Sequence, residues 1–145
     1  MIGAGFLICG YGARGTAVAE NFMERGLPAE AIAIVEIAAD RLAMARARGH
    51  SCVSGDATER NRLRIAGAGV INDIIICVDD EAAPAVMSAA RAVSPSAVVS
   101  AVVKHPDTKG PVIAAGADIV LVLSEICGRL LAQSMLSGLP DTKRL

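Results

Sequence analysis

The sequence predicts a Rossmann-like, doubly wound parallel α/β fold: a six-stranded sheet between two helical layers, a three-layer α/β/α sandwich. Three observations predict it. Short apolar runs recur without internal alternation, segments with helical punctuation separate them, and a glycine-rich hexapeptide follows the first run. Continuous apolar runs suit strands covered on both faces of a parallel sheet. Regular exchange of strand and helix then leads to right-handed β-α-β crossovers. With 53% hydrophobic and 20% charged residues among 145, the chain can fill one core. Its length suits one domain, so residues 1–145 are expected to form a single module with no second lobe.

The elements follow in order. Phe6-Leu7-Ile8-Cys9 is the first strand, and residues 13–25 the first helix, stopped by Gly26 and Pro28. A second strand over 32–35 ends at Glu36, and a helix over 39–48 stops at Gly49. The weaker run 51–53 is the third strand, followed by a helix over 59–66 with Gly67 beyond it. Strands over 74–78, 98–103 and 119–123 alternate with helices over 84–92 and 109–115, which are punctuated by Pro95 and Gly116. Glycine just past a helix and proline soon after are the expected stops. Ser124 is placed to cap a last helix over 125–136. Its apolar positions Ile126, Leu130, Leu131 and Met135 form a stripe for its own sheet, the default for an amphipathic helix, or for another subunit.

Composition removes several function classes. Fourteen basic against fifteen acidic residues leave a net charge of -1, which argues against a nucleic-acid face built on phosphate neutralisation. Phe6, Tyr11 and Phe22 are the only aromatic residues, too few for base-stacking platforms. No apolar run approaches the roughly 18–20 residues that cross a bilayer; the longest, 112–123, contains Asp118. Arg14, the first basic residue, follows the N-terminal apolar stretch rather than preceding it, the wrong order for a secretory signal. A soluble, cytosolic protein is expected. Cys9, Cys52, Cys77 and Cys127 show no C-x-x-C spacing and read as buried reduced thiols, not as a disulfide frame or zinc site.

Gly10-Tyr11-Gly12-Ala13-Arg14-Gly15 carries the chemistry. Gly10 permits a tight turn, Gly12 presents no Cβ to a pyrophosphate, and Gly15 lets the helix approach the strand. Phosphates would then sit on the first N–H groups of that helix. Glu36, at the end of the second strand, is placed to accept both hydroxyls of an adenosine ribose. The competing reading is a glycine turn needed for packing alone. Glu36 would repel a 2′-phosphate and Ile37 supplies no cation beside it, which favours NAD or an adenine nucleotide over NADP. Arg14 is either a phosphate ligand or a solvated arginine at a helix start. Asp56, Asp79 and Asp80 follow the third and fourth strands, so each is either a cleft wall or a helix cap.

These residues, with Gly55-Asp56-Ala57-Thr58, Ala115-Gly116-Ala117-Asp118 and Gly128-Arg129-Leu130, resemble the RCK or TrkA-N family over residues 6–135. That family comprises the cytoplasmic regulatory domains of potassium channels and potassium transporters. The resemblance implies a ligand-sensing module without catalysis that binds NAD or NADH, or else ATP, ADP or AMP. It implies pairing as a homodimer, assembly into rings of eight lobes, and a potassium-conducting pore, fused or separate, at the inner face of the cell membrane. The last helix would cross to the partner. Carried over, Gly10, Gly12 and Gly15 hold the phosphates, with Tyr11, Ala13 and Arg14 in the same turn. Glu36 holds the ribose, Asp56 and Ala57 the adenine edge, and Val78 and Asp79 complete the set. Calcium is not expected: where calcium-gated members carry carboxylates this chain has Val102-Val103-Lys104, and Asp56 alone cannot furnish about six to eight oxygens.

Two other classes compete. An NAD-dependent oxidoreductase fragment would need a proton-handling group, whereas His50 and His105 read as loop residues and no Tyr-x-x-x-Lys or Cys–His pairing occurs. The other is a structural oligomerisation module with a degenerate nucleotide site.

Overall fold

Strands β1 (Phe6–Cys9), β2 (Ile32–Glu36), β3 (Ser51–Ser54), β4 (Asp73–Ile76), β5 (Val98–Val103) and β6 (Ile119–Val122) alternate with six helices. These are α1 (Ala13–Glu24), α2 (Ala39–Ala47), α3 (Arg60–Ile65), α4 (Ala83–Val93), α5 (Lys109–Ala114) and α6 (Leu123–Leu136). The computed structural model describes residues 4–138. All strand pairings are parallel, in the order β3-β2-β1-β4-β5-β6. The chain winds outward from β1 to β3, then crosses back to β4 and winds the other way. The sheet therefore has its switch point between β1 and β4, where doubly wound folds open a crevice at the strands' carboxyl ends.

Alternation along each strand divides the core between the two faces. Leu7 and Cys9 of β1 join Ile74 and Ile76 of β4, Leu63 of α3, Met87 of α4 and Val112 of α5. Ile8, one residue between them, joins Ile32 and Ile34 of β2 and the fully buried Ala19 of α1 and Ala45 of α2 on the other face. Small alanines at the helix contacts let an almost purely aliphatic core close without large aromatic groups.

Three expectations about sheet coverage and the last strand–helix pair change, as does a fourth, on the cysteines. Full coverage on both faces holds only for β1 and β2; β5 is buried at alternate residues and β3 and β6 lie at the sheet edges. On the β6 side the reason lies in α6, which has no buried residue and so does not pack on its own sheet as a default amphipathic helix would. Ile119 and Leu121 of β6 remain nearly half exposed, and Leu131 and Met135 of α6 more so. Ser124 is no cap, because β6 runs directly into α6 through Val122, which puts Ser124 in the first turn.

The other sequence signals find structural reasons. Asp118 of the Gly-Ala-Asp segment lies before β6, where its Oδ2 accepts 2.7 Å from Arg91 Nη2 and 2.9 Å from the Val99 N–H. These two bonds hold its carboxyl below the usual range. Arg91 also donates to the Gly116 and Ala97 carbonyls, clamping α4 to the starts of β5 and β6. All four cysteines are free; Cys9 and Cys77 are buried, and burial pushes their thiols up to about 12 and about 11. Contrary to expectation, Cys52 is only half-buried and Cys127, on α6, is exposed. Among the described residues no helix is long and apolar enough to cross a membrane.

Candidate functional site

Beyond the carboxyl ends of β1 and β4 lies a cleft of about 430 Å³, within the size range of small-molecule sites. Gly10, Gly12, Ala13 and Arg14 line one side, and Glu36, Asp56 and Ala57 another. Val78, Asp79 and Lys104 lie across from them. Nine of the eleven residues singled out from the sequence are thus brought together. Gly15 lies beneath the turn, and Tyr11 points away into the α1 and α2 side of the core.

The three fingerprint glycines are bare for different reasons. Gly10 has φ of 95°, and a Cβ there would collide with the Cys77 carbonyl. A Cβ on Gly15 would strike the Gly10 carbonyl oxygen. Both glycines are therefore required by packing within the chain. Gly12 has an ordinary φ of -79°, and its Cβ would meet only the Arg41 guanidinium, at 3.5 Å. Its bareness keeps the cleft floor open. Gly12 is also the N-cap of α1, which has no side-chain cap and no acid in its first turn. The orphan N–H groups of that turn, at the positive end of the helix dipole, suit an anion.

Glu36 is 4% exposed, yet its carboxylate is fully held. Oε1 accepts the Tyr11 N–H at 2.8 Å and Oε2 the Ala38 N–H at 2.9 Å. Each oxygen retains a lone pair for a further donor. Tyr11 thus serves the cleft through its backbone. Its ring meets His50 edge-on at 5.7 Å, and His50 Nδ1 lies 2.9 Å from the Ala29 carbonyl, so this histidine is buried away from the cleft.

Asp56 neither caps α3 nor stands free: its Oδ1 accepts from the Thr58 N–H and hydroxyl at 2.9 and 2.8 Å, closing a tight turn at the rim. Asp79 lines the cleft. Asp80 instead takes the Lys104 N–H at 2.9 Å, the His105 N–H at 3.0 Å and the Thr108 hydroxyl at 2.7 Å. Burial pushes the Asp80 carboxyl up, but those bonds outweigh it and leave the group below its usual range.

Arg14 is no solvated helix-start arginine. Its side chain is 15% exposed, with Nη1 donating to the Val102 carbonyl at 2.7 Å and Nη2 to the Val78 carbonyl at 3.1 Å. It bridges the ends of β4 and β5. The cation that the sequence reading missed is Arg41, in the first turn of α2, whose guanidinium lies over Gly12. One signal pointed to it: a cation in a first helical turn opposes the dipole and wants another reason to be there. Position 37 supplies no cation, but one helical turn brings residue 41 to the cleft, so the case against a 2′-phosphate rests on Glu36 alone.

Strand order, an uncapped glycine turn and a buried acid closing β2 together define a Rossmann-type domain with a ligand cleft at its switch point. The chain belongs to the TrkA-N domain family, whose model matches residues 6–123. Among solved structures it is similar to the TrkA-N domain of inner membrane protein ybaL from Escherichia coli. The TM-score is 0.81 at 22% identity, over 91% of this chain and 96% of that one. The GsuK channel bound to NAD matches with a TM-score of 0.77 and 22% identity, over 90% of this chain but 23% of the channel. The Shewanella denitrificans Kef C-terminal domain in its AMP-bound form gives 0.75 and 18%, over 94% and 82%. No curated protein sequence matches the chain.

Proposed function

We propose that this domain is a non-catalytic sensor that binds NAD, NADH or an adenine nucleotide and passes its occupancy, through a homodimer, to a potassium-conducting pore at the cytoplasmic face of a membrane. The phosphates rest on the turn from Gly10 to Gly15, the ribose on Glu36 and the adenine beside Asp56 and Ala57; Val78 and Asp79 flank the other half of a dinucleotide. One observation carries the reading: Gly12 is the fingerprint glycine whose bareness chain packing does not require, and it floors the cleft at an uncapped helix start. The family supports the regulatory role, and the NAD and AMP bound by similar domains support the ligand class. Pairing draws on the apolar surface of β6 and α6 that the domain does not cover itself.

Thermal melting with NAD, NADH, NADP, ATP and ADP tests the ligand. A compound bound only by the native state stabilises it by about 2.7 kcal/mol at a concentration about a hundred times its Kd, a rise of several degrees for a domain of this size. At least one of the adenine ligands should give that rise, with NADP weaker than NAD. Flat curves for all five would remove the sensor reading.

A further inference from the structure

We infer that Arg41, not Arg14, is the cation that binds the nucleotide's phosphate, at the phosphate group next to the adenosine ribose. The inference rests on the nucleotide reading above and assigns a ligand to a residue which that reading leaves without a role.

The two arginines are placed differently. Arg14 spends both Nη atoms on the Val102 and Val78 carbonyls and lies 4.0 Å from Asp80, so it holds strand ends together. Arg41 is exposed and lines the cleft. Among the described residues it has no carboxylate within 4.0 Å and no hydrogen bond from its guanidinium. Two of the cleft's acids are held elsewhere, Glu36 by two backbone N–H groups and Asp56 by Thr58, and Asp79, which also lines the cleft, forms no ion pair with Arg41. A planar fork with all its donors available suits a phosphate.

Its position selects the phosphate. The guanidinium lies over Gly12, with Nη1 3.5 Å and Cζ 3.6 Å from where a Cβ would stand. Gly12 is also the residue from which α1 starts without a cap. An anion resting there meets the first-turn N–H groups from one side and Arg41 from the other. Because α2 follows directly from the strand ending in Glu36, Arg41 reaches the cleft from the ribose side. The phosphate it meets is the first one after that sugar, shared by AMP, ADP and NAD.

Calorimetric titration of the wild-type chain, Arg41→Ala and Arg41→Lys with adenosine, AMP, ADP, NAD and NADP tests this. A charge-assisted contact of this kind predicts that Arg41→Ala weakens AMP, ADP and NAD alike by about ten- to hundredfold and leaves adenosine unchanged. Arg41→Lys should recover part of the loss as a point charge without the fork. The ligand-free melting temperature should not move, since the side chain is exposed and unpaired. Undiminished AMP, ADP and NAD affinity in Arg41→Ala would overturn the inference and leave the nucleotide reading standing. A loss confined to NADP would overturn it in favour of a 2′-phosphate contact, and an equal loss for adenosine in favour of a base contact. Absence of binding by the wild-type chain to any of the five would remove the nucleotide reading itself.

Discussion

Gly12 and Gly15 are indistinguishable in a sequence motif, yet their missing side chains answer to different neighbours and should fail differently. A Cβ at Gly15 meets a backbone carbonyl, which no rotamer change relieves. Gly15→Ala is expected to lower stability by about 1–3 kcal/mol, as overpacking does, despite alanine's better helix propensity. Gly12→Val adds its bulk to the cleft, where only the end of the flexible Arg41 side chain is near. It should melt close to wild type and lose the thermal shift given by nucleotide. Chemical denaturation and ligand-dependent melting of both variants separate these outcomes; a Gly12→Val chain that still shifts with NAD would place the ligand elsewhere. The glycines were legible because a turn between strand and helix is local. Which arginine keeps its donors free toward the cleft was not, since Arg14 is captured by Val78 and Val102, carbonyls 64 and 88 residues away, and Arg41 is presented by a helix start.

Between elements, Asp80 ties the end of β4 to the segment that follows β5. Its oxygens collect Lys104, His105 and Thr108, and these bonds keep its carboxyl below the ordinary aspartate range. A depressed folded-state pKa means that the unfolded chain binds more protons in the interval between the two values, so stability rises with pH there. The contribution is complete above the unfolded value of about 3.9 and is lost as pH falls through the lower folded one. Asp80→Asn should therefore be less stable than wild type at pH 7, and the gap should close below about pH 4. Urea unfolding of both proteins from pH 7 to pH 2 measures it; a gap of constant size would mean that the charge is irrelevant. Helix ends were readable from Gly26, Gly49, Gly67 and Gly116, whose positive φ values end their helices locally. Asp80 was not, because an aspartate after a strand reads equally as a cap, and the groups it accepts from lie 24 to 28 residues onward. Ser124 failed as a cap for a related reason: the sequence cannot show that β6 passes into α6 without a turn.

At the scale of the molecule, coverage of the sheet is uneven, and that asymmetry bears on assembly. A doubly wound parallel sheet was inferable from strand–helix alternation and the fingerprint, because crossover handedness leaves few arrangements; the order β3-β2-β1-β4-β5-β6 is what the structure adds. The fate of α6 was not inferable, because an amphipathic stripe fits its own sheet or a neighbour's equally well. Leaving the sheet, α6 exposes Leu130, Leu131, Met135 and Leu136, and the strand before it exposes Ile119 and Leu121. Apolar residues clustered along one continuous stretch of chain mark an association surface more often than scattered ones do. The wild-type chain is expected to sediment as a dimer at micromolar concentration, and Leu131→Glu combined with Met135→Glu as a monomer, since burying two carboxylates in an apolar contact is costly. Because α6 has no buried residue within its own domain, the double variant should retain its far-ultraviolet spectrum and its response to nucleotide. Loss of that fold together with the dimer would show that α6 stabilises its own domain; a wild-type chain that stays monomeric at every concentration would leave the apolar surface unexplained by self-association and would take the dimer out of the sensor mechanism.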